Sequence, residues 1–246
     1  MADCRILARE GEAPELAGRW LFVSPHDDDA LIGAGCWLQA LGRNAHVLIV
    51  TDGSLGFAQP GAAAGIAARR RAEAAAAYAE LGLPAENLHR LEYPDGSLSR
   101  HTGSVTVQGK LAGLDCDLTR LYRTLRPSRV ITTDAADWHP DHRATFESAR
   151  MALFHACAEI WLELGQPLAQ MPSLHSFAVY APPNGPPAWC LEAGPAFAAR
   201  KAAALERFTS QQGIIAHVAE HGATEYLWRV PTAPFDPGEY RALFSN

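Results

Sequence analysis

Several classes of protein are excluded by what this 246-residue chain lacks. It has no apolar run near the roughly 18 residues that span a bilayer. Its formal net charge of −6 gives no basic footprint for nucleic acid or an anionic membrane surface. No Cys-x-x-Cys pair occurs, and an odd number of cysteines argues against both a disulfide scaffold and a cysteine-based zinc site. The five cysteines are Cys4, Cys36, Cys116, Cys157 and Cys190.

The first ten residues lack the apolar segment of a signal peptide, so we expect a cytoplasmic protein with reduced thiols. Two familiar catalytic signatures are also missing, the Gly-x-x-x-x-Gly-Lys-Ser/Thr phosphate loop and the Gly-x-Ser-x-Gly nucleophile motif. Gly33 and Gly35 follow an apolar run, but Leu38 stands where a dinucleotide fingerprint has its third glycine. These glycines more simply let a helix pack closely on a sheet.

What the chain does contain is an alternation of apolar runs and helical patterns. The predicted strands are 20–24, 45–51, 87–93, 129–133 and 174–180. The predicted helices are 30–41, 65–81, 111–125, 143–164 and 196–210. This alternation predicts an α/β fold, a Rossmann-like, doubly wound and mostly parallel sheet with helices on both faces and strand order 3-2-1-4-5. We expect residues 1–212 to form this domain and 213–246 to be a C-terminal extension or lid packed on it.

Two acidic and histidine-rich clusters follow predicted strands. Ser24-Pro25-His26-Asp27-Asp28-Asp29 comes after the first strand, and His139-Pro140-Asp141-His142 after the fourth. In the expected order these strands are central neighbours, and ligands bind beyond the carboxyl ends of such strands. An aspartate run by itself commonly caps a helix. Two clusters at adjacent strand ends instead predict the two halves of one metal site.

The donor types suit a hydrolytic metal centre. Such sites use three histidine or carboxylate ligands and leave a position for water. His26 and Asp29, three residues apart at a strand-to-helix turn, can point the same way, and a histidine from 139–142 would complete the set. Spare carboxylates in the first cluster can accept a proton during attack, and the spare histidine can act as an acid or an oxyanion partner.

The first cluster resembles the His-Pro-Asp-Asp-Glu motif of the PIG-L/LmbE-like deacetylases, and the second cluster resembles that family's second motif. Supporting similarities cover most of the chain between about residues 20 and 211. They are Arg70-x-x-Glu73 with Leu81-Gly82, Pro94-Asp95-Gly96, and Lys201 to Gln211. The resemblance implies a metal-dependent hydrolase that removes an N-acyl group, most simply N-acetyl, from an amino sugar or glycoconjugate.

Roles follow from the resemblance residue by residue. It implies His26, Asp29 and His142 as metal ligands and Asp28 as the general base. His139 would stabilise the tetrahedral intermediate or protonate the leaving amine, and Asp141 would orient it. The implied substrate contacts are Arg70 and Asp95.

Two positions depart from the family motif. Asp27 replaces the usual proline, and Ala30 replaces the usual glutamate. Neither change touches a proposed ligand or the base, but the first adds a negative charge whose purpose the sequence does not reveal. Trp138, directly before the second cluster, is either an apolar wall or sugar platform of the site or a core residue.

The expected cofactor is zinc, with ferrous iron or another divalent metal also compatible with these ligands. The expected partner is a small N-acylated sugar or conjugate, and the sequence leaves a homo-oligomer open. Two alternatives are a metal-dependent amidase on a non-sugar substrate, such as a thiol conjugate or antibiotic intermediate, and a non-catalytic metal-binding protein. His217-Val218-Ala219-Glu220-His221 also matches a zinc-peptidase pattern, although a surface helix or lid is the simpler interpretation.

Overall fold

A computed structural model describes residues 3–11, 13–57, 61, 63–218, 222–232, 237–242 and 244. An eight-stranded sheet runs through the molecule in the order β1-β9-β10-β8-β7-β2-β3-β4. Its strands are β1 (Cys4–Ala8), β2 (Trp20–Ser24), β3 (Ala45–Thr51), β4 (Leu88–Tyr93), β7 (Arg129–Thr132), β8 (Ser173–Ser176), β9 (Trp189–Ala193) and β10 (Thr224–Val230). A short hairpin, β5 (Val105–Val107) with β6 (Lys110–Ala112), stands apart from it.

The predicted α/β class with a mostly parallel sheet is confirmed. Strands β4, β3, β2, β7 and β8 are parallel neighbours, and β2 and β3 are buried along their whole length. The helices are α1 (Asp29–Leu41), α2 (Ile66–Glu80), α3 (Leu114–Leu125), α4 (Pro140–Cys157), α5 (Pro195–Glu206), α6 (Gln212–Val218) and α7 (Pro237–Ala242). Separate apolar clusters on the two faces of the sheet form the core, as expected when helices cover both faces.

The other part of the sheet is antiparallel and differs from the sequence-based expectation. Strand β10 belongs to the segment predicted as an extension or lid, yet it lies between β8 and β9 in the sheet. Its Glu225 is buried and accepts the backbone N–H groups of Cys36 and Trp37, just beyond the break of α1 at Ala34. Lys201 of α5 pairs with the same carboxylate at 2.8 Å. The C-terminal segment is therefore tied into the core.

Several predicted elements have different ends in the structure. The predicted strand 174–180 ends at Ser176, and the predicted helix 196–210 ends at Glu206. The predicted helix 111–125 begins only at Leu114. Gly113 has a φ of +106°, which is not a helical conformation, and it separates β6 from α3. The predicted helix 143–164 begins earlier, with Pro140 at its first turn, and ends at Cys157. No helix in the described part of the chain is long and apolar enough to cross a membrane.

Candidate metal centre

Two loops at the carboxyl ends of β2 and β7 build the site. The two strands are adjacent and parallel, so the loops that follow them leave the sheet side by side. In the first loop, Ser24 Oγ donates to the carbonyl of His26 at 2.6 Å and accepts the N–H of Ala30 at 3.0 Å. Thr51 at the end of β3 donates its N–H and hydroxyl to the carbonyl of Pro25. These bonds fix the turn on which the acids stand.

Three donor atoms from the two loops converge. His26 Nδ1 lies 3.0 Å from Asp29 Oδ2, and His142 Nε2 lies 3.1 Å from the same oxygen. The two ring nitrogens are 3.2 Å apart. A tetrahedral zinc ion with bonds of about 2.0–2.1 Å would separate neighbouring ligand atoms by about 3.3 Å. The three predicted ligands therefore have the spacing that one divalent ion requires.

The electrostatics of these buried groups also favour a cation. Burial raises the pKa of Asp29, but His142 and His26 outweigh it and hold that pKa well below its ordinary range. Burial lowers the pKa of His142, but Asp29 and Asp137 outweigh it and raise the pKa to about 9. The pKa of His26 is likewise raised against the effect of burial by its carboxylate neighbours. Asp29 therefore stays ionised, and the carboxylates around the two histidines attract positive charge to the point where the three side chains meet. A divalent ion would supply that charge.

A carboxylate lies behind each of the two histidines. Asp95 Oδ1 is 3.1 Å from His26 Nε2, and Asp137 Oδ2 is 3.2 Å from His142 Nδ1. Metal-binding histidines commonly donate their second ring N–H to a carboxylate, which fixes their tautomer and orientation. The sequence predicts Asp95 as a substrate contact, whereas the structure engages its carboxylate with His26 and with the N–H of Leu55. Asp137 was not predicted as a site residue, although its position two residues before His139 was a signal that it could belong to the site.

The predicted base, Asp28, lies beside the ligands without joining them. It is buried, and its Oδ1 is 3.5 Å from Arg70 Nη2. Burial raises the pKa of Asp28, with Arg70 acting in the opposite direction. A buried carboxylate with a raised pKa is suited to accept a proton near neutral pH.

Asp27, which stands where the family motif has proline, forms the centre of a buried ion network. It is fully buried, and its Oδ2 accepts from Arg70 Nε at 3.2 Å. Its other oxygen accepts from Arg90 of β4. Arg70, predicted as a substrate contact, is therefore occupied by Asp27 and Asp28. The sequence did not single out Arg90, because nothing near it in the chain marks it as a partner of Asp27.

His139 caps the amino end of α4. Its Nδ1 accepts the backbone N–H of Asp141 at 3.2 Å, so a neutral His139 carries its proton on Nε2. Its ring stands edge-on to that of His26, with 4.6 Å between centroids. Burial, together with the nearby His26 and His142, lowers the pKa of His139. The ring is thus a neutral hydrogen-bond donor beside the ligands.

The carboxylate of Asp141 has a different partner from the predicted one. Its oxygens accept the N–H groups of Gly96 at 2.7 Å and Leu98 at 3.1 Å, in the loop after β4. One of them is also 3.5 Å from His26 Nε2. The backbone of Asp141 holds His139, while its side chain fixes the neighbouring loop against the site.

A comparison with known protein families identifies the family of the chain. The profile of the family described as "PIG-L: GlcNAc-PI de-N-acetylase" matches residues 21–153, more than half of the chain. The chain belongs to the PIG-L family. This confirms the resemblance inferred from the two motifs, and it supports N-deacetylation of amino-sugar conjugates as the activity.

Solved structures share the fold of this PIG-L protein at low sequence identity. The N,N′-diacetylchitobiose deacetylase from Pyrococcus horikoshii is 20% identical with a TM-score of 0.71, over 87% of this chain and 84% of that one. The hydratase GalB from Pseudomonas putida KT2440 is 19% identical with a TM-score of 0.70, over 89% and 98% of the two chains. The zinc-inhibited form of teicoplanin deacetylase Orf2 is 21% identical with a TM-score of 0.55, over 87% and 100%. No curated protein matches the sequence at a significant level.

The supporting PIG-L motifs meet on the side of the site formed by α2. Glu73, one turn after Arg70, accepts the hydroxyl of Thr209 at 2.6 Å and both the N–H and the hydroxyl of Ser210. Gln211 donates to the carbonyl of Gly56 in the loop that covers Arg70. The segment after α5 therefore holds α2, and with it the arginine, against the acids of the metal centre.

The rim of the site carries exposed apolar side chains. Trp138, directly before His139, is 76% exposed, which rules out the core role considered for it. Leu55, whose N–H binds Asp95, is also exposed, and the ring of Tyr180 stacks on that of His142 at 5.4 Å. The alternative zinc-peptidase pattern ends at Glu220 and His221, which lie outside the described residues.

Proposed function

We propose that this PIG-L protein is a zinc-dependent hydrolase that removes an N-acetyl group from an amino sugar or its conjugate. The observation that carries the proposal is the convergence of His26 Nδ1, Asp29 Oδ2 and His142 Nε2 within 3.2 Å of one another, with Asp28 beside them. The structurally related chitobiose deacetylase and teicoplanin deacetylase are named for the same type of reaction.

Each residue of the site has a separate proposed role in amide hydrolysis. A bound zinc ion would activate water and polarise the amide carbonyl. Asp28 would accept a proton from the attacking water, and burial raises the pKa of this carboxylate in the direction that this role requires. His139 presents its Nε2–H to the developing oxyanion, because its Nδ1 is engaged by the backbone of Asp141. Asp95 and Asp137 hold the histidine ligands in the required tautomers.

The apolar rim supports a conjugate as substrate. A sugar ring has an apolar face that stacks on indole, and the exposed Trp138 stands directly before His139. Leu55 adds apolar surface to the mouth. An N-acylated non-sugar amine remains the second candidate, because the same rim accepts any apolar group attached to the amide.

A hydratase like GalB is less well supported by the charges of the site. The substrate in that protein's name, 4-carboxy-2-hydroxymuconate, carries several carboxylates. Binding such a molecule would require free cationic groups. Arg70 and Arg90, the arginines that contact the acids of this site, are both paired with Asp27. A neutral amide fits this charge balance better.

The test compares two adjacent aspartates, Asp29 as the proposed metal ligand and Asp28 as the proposed general base. Asp29→Asn should lose bound zinc, whereas Asp28→Asn should keep it and lose about 10²–10⁴-fold in kcat, the usual contribution of a general base. Zinc content is measured by mass spectrometry, and activity by acetate release from N-acetylglucosamine, N,N′-diacetylchitobiose and larger conjugates. Equal zinc loading of both variants would refute the ligand assignment.

The same panel separates the substrate classes. Acetate release from the sugar compounds but not from N-acetylated alkylamines supports the amino-sugar assignment. Release only from the amines replaces it with the amidase alternative. If zinc-loaded and iron-loaded protein both release no acetate from any member, the deacetylase proposal is wrong for this chain.

A further inference from the structure

A second cluster of unused polar groups lies at the opposite end of the parallel strands from the metal centre. Arg129 begins β7, and His175 and Arg229 are direct cross-strand partners on β8 and β10. Trp189 of β9 completes the cluster, which we call the Arg129 cleft. The cleft has a volume of about 440 Å³, and its lining also includes Ser173, Arg9 and Glu10.

In the part of the chain that the structure describes, the arginines of this cleft have few carboxylates near them, and Glu15, whose charge raises the pKa of Arg129 against the effect of burial, lies beyond ion-pair distance. The one carboxylate in the lining, Glu10, is paired with Arg9 at 3.2 Å. Within the described residues, neither Arg129 nor Arg229 has a carboxylate at ion-pair distance or a hydrogen-bond acceptor. Arg129 instead lies over the rings of Trp20 and Trp189, at 4.7 and 5.7 Å from their centroids. Its planar face is packed while its N–H groups remain available.

His175 is the buried member of the cleft. Its side chain is 1% exposed, its ring stacks on Trp189 at 4.2 Å, and both ring nitrogens lack a hydrogen-bond partner. Buried polar atoms without partners are rare in folded proteins and call for an explanation. Burial, and then the charges of Arg129 and Arg229, lower the pKa of His175 to about 3. Arg229 lies directly opposite His175 in the sheet, and both arginines line the same cavity as His175, so all three can face one ligand.

We propose that the Arg129 cleft is a binding site for a phosphoryl group. Guanidinium groups bind phosphate oxygens through paired N–H bonds, and the imidazole of His175 supplies a further buried donor. The cleft is larger than one phosphate ion, and Trp189 gives it an aromatic wall. A phosphate ester of a small organic molecule thus fits it better than the free ion. This site is separate from the deacetylase centre and does not depend on the activity proposed for that centre.

The experiment measures binding by isothermal titration calorimetry to the full-length, zinc-loaded protein at low ionic strength. The probes are inorganic phosphate, pyrophosphate and glucose 6-phosphate, with glucose as the uncharged control. We expect the phosphate compounds to bind and glucose not to bind. Binding of glucose 6-phosphate at least tenfold tighter than inorganic phosphate identifies an ester as the ligand, and equal affinities identify the bare phosphoryl group.

Two variants of equal charge change locate the site. Arg229→Gln should weaken phosphate binding at least tenfold, because it removes an exposed cation from the cleft without disturbing the packing of Arg129. Arg150→Gln, an exposed arginine on α4 that pairs with Glu147, should leave binding unchanged. His175→Phe tests the buried donor and should weaken binding while retaining the ring packing. No binding by the unmodified protein, or equal losses in Arg229→Gln and Arg150→Gln, would overturn the proposal.

Discussion

At the residue scale, the motifs predicted three residues that the structure brings together, but not the partners of every acid. His26 and Asp29 were predicted as ligands from their place at a strand end, and the family resemblance implied His142. The partners of Asp27 could not be predicted, because Arg70 and Arg90 are 43 and 63 residues away in the chain. Only the pairing of β3 with β4 and the placement of α2 bring these three charges together.

The structure gives Asp27 a purpose that is testable. Its carboxylate is the closest counter-ion of the Arg70 and Arg90 guanidinium groups, so Asp27→Asn leaves them only the more distant carboxylates of Asp28, at 3.5 Å, and Glu92, at 3.8 Å. Breaking a buried ion pair by removing one partner typically costs about 3–5 kcal/mol. We expect a loss of that size in the free energy of unfolding, measured by urea denaturation.

A surface ion pair provides the control for Asp27. Glu80 pairs with Arg207 at 2.7 Å, where the Arg207 and Glu80 side chains are 53% and 32% exposed, and Glu80→Gln should change stability by less than about 1 kcal/mol. The double variant Asp27→Asn/Arg90→Gln should recover part of the loss, because it removes the unbalanced charge as well. Equal effects of Asp27→Asn and Glu80→Gln would show that the network contributes nothing.

At the scale of elements, the sequence predicted the parallel core because its central strands β2, β3 and β7 are built around short apolar runs. The antiparallel strands were missed for a physical reason. Strand β10 mixes buried and solvated positions, β9 has one buried residue, Leu191, and β1 is only partly buried. Strand β1 pairs with β9 through residues almost 190 positions apart, such as Cys4 with Ala193, which no local pattern contains.

The contact between α1 and the segment after β8 depends on one glycine. A Cβ atom added at Gly33 would collide with the buried ring of Phe177 and lie 2.8 Å from the carbonyl oxygen of Ala178. Gly33→Ala should therefore lower the free energy of unfolding by about 1–3 kcal/mol, the usual cost of overpacking. Thermal and urea denaturation measure this loss.

Gly213 in α6 is the matched control for Gly33. A Cβ atom there would have nothing within 4 Å, and alanine is the better helix former. Gly213→Ala should be neutral or stabilising by up to about 1 kcal/mol. If Gly33→Ala behaves in the same way, α1 is not held as closely against this segment as the structure shows.

At the scale of the whole molecule, the two ends of the sheet have opposite electrostatic character. The carboxyl ends of β2 and β7 gather acids around a position for a cation, while the amino ends of β7 and β8 gather arginines around His175. The sequence predicted the first end from its motifs. It could not predict the second, because Arg129, His175 and Arg229 belong to three strands and form no local pattern.

The buried His175 makes the stability of the whole molecule depend on pH. Its pKa is lowered from 6.5 to about 3 by burial and the two arginines. Between these two pH values the unfolded chain therefore binds a proton at residue 175 that the folded protein does not bind. Stability is therefore fully present above about pH 6.5 and falls by about 1.4 kcal/mol per pH unit as the pH drops towards 3. Urea denaturation of the protein and of His175→Phe, from pH 7 to pH 4, isolates this contribution, because other groups titrate equally in both. The free-energy difference between the two proteins should move steadily in favour of the variant as the pH falls, and a constant difference would show that His175 is not held neutral.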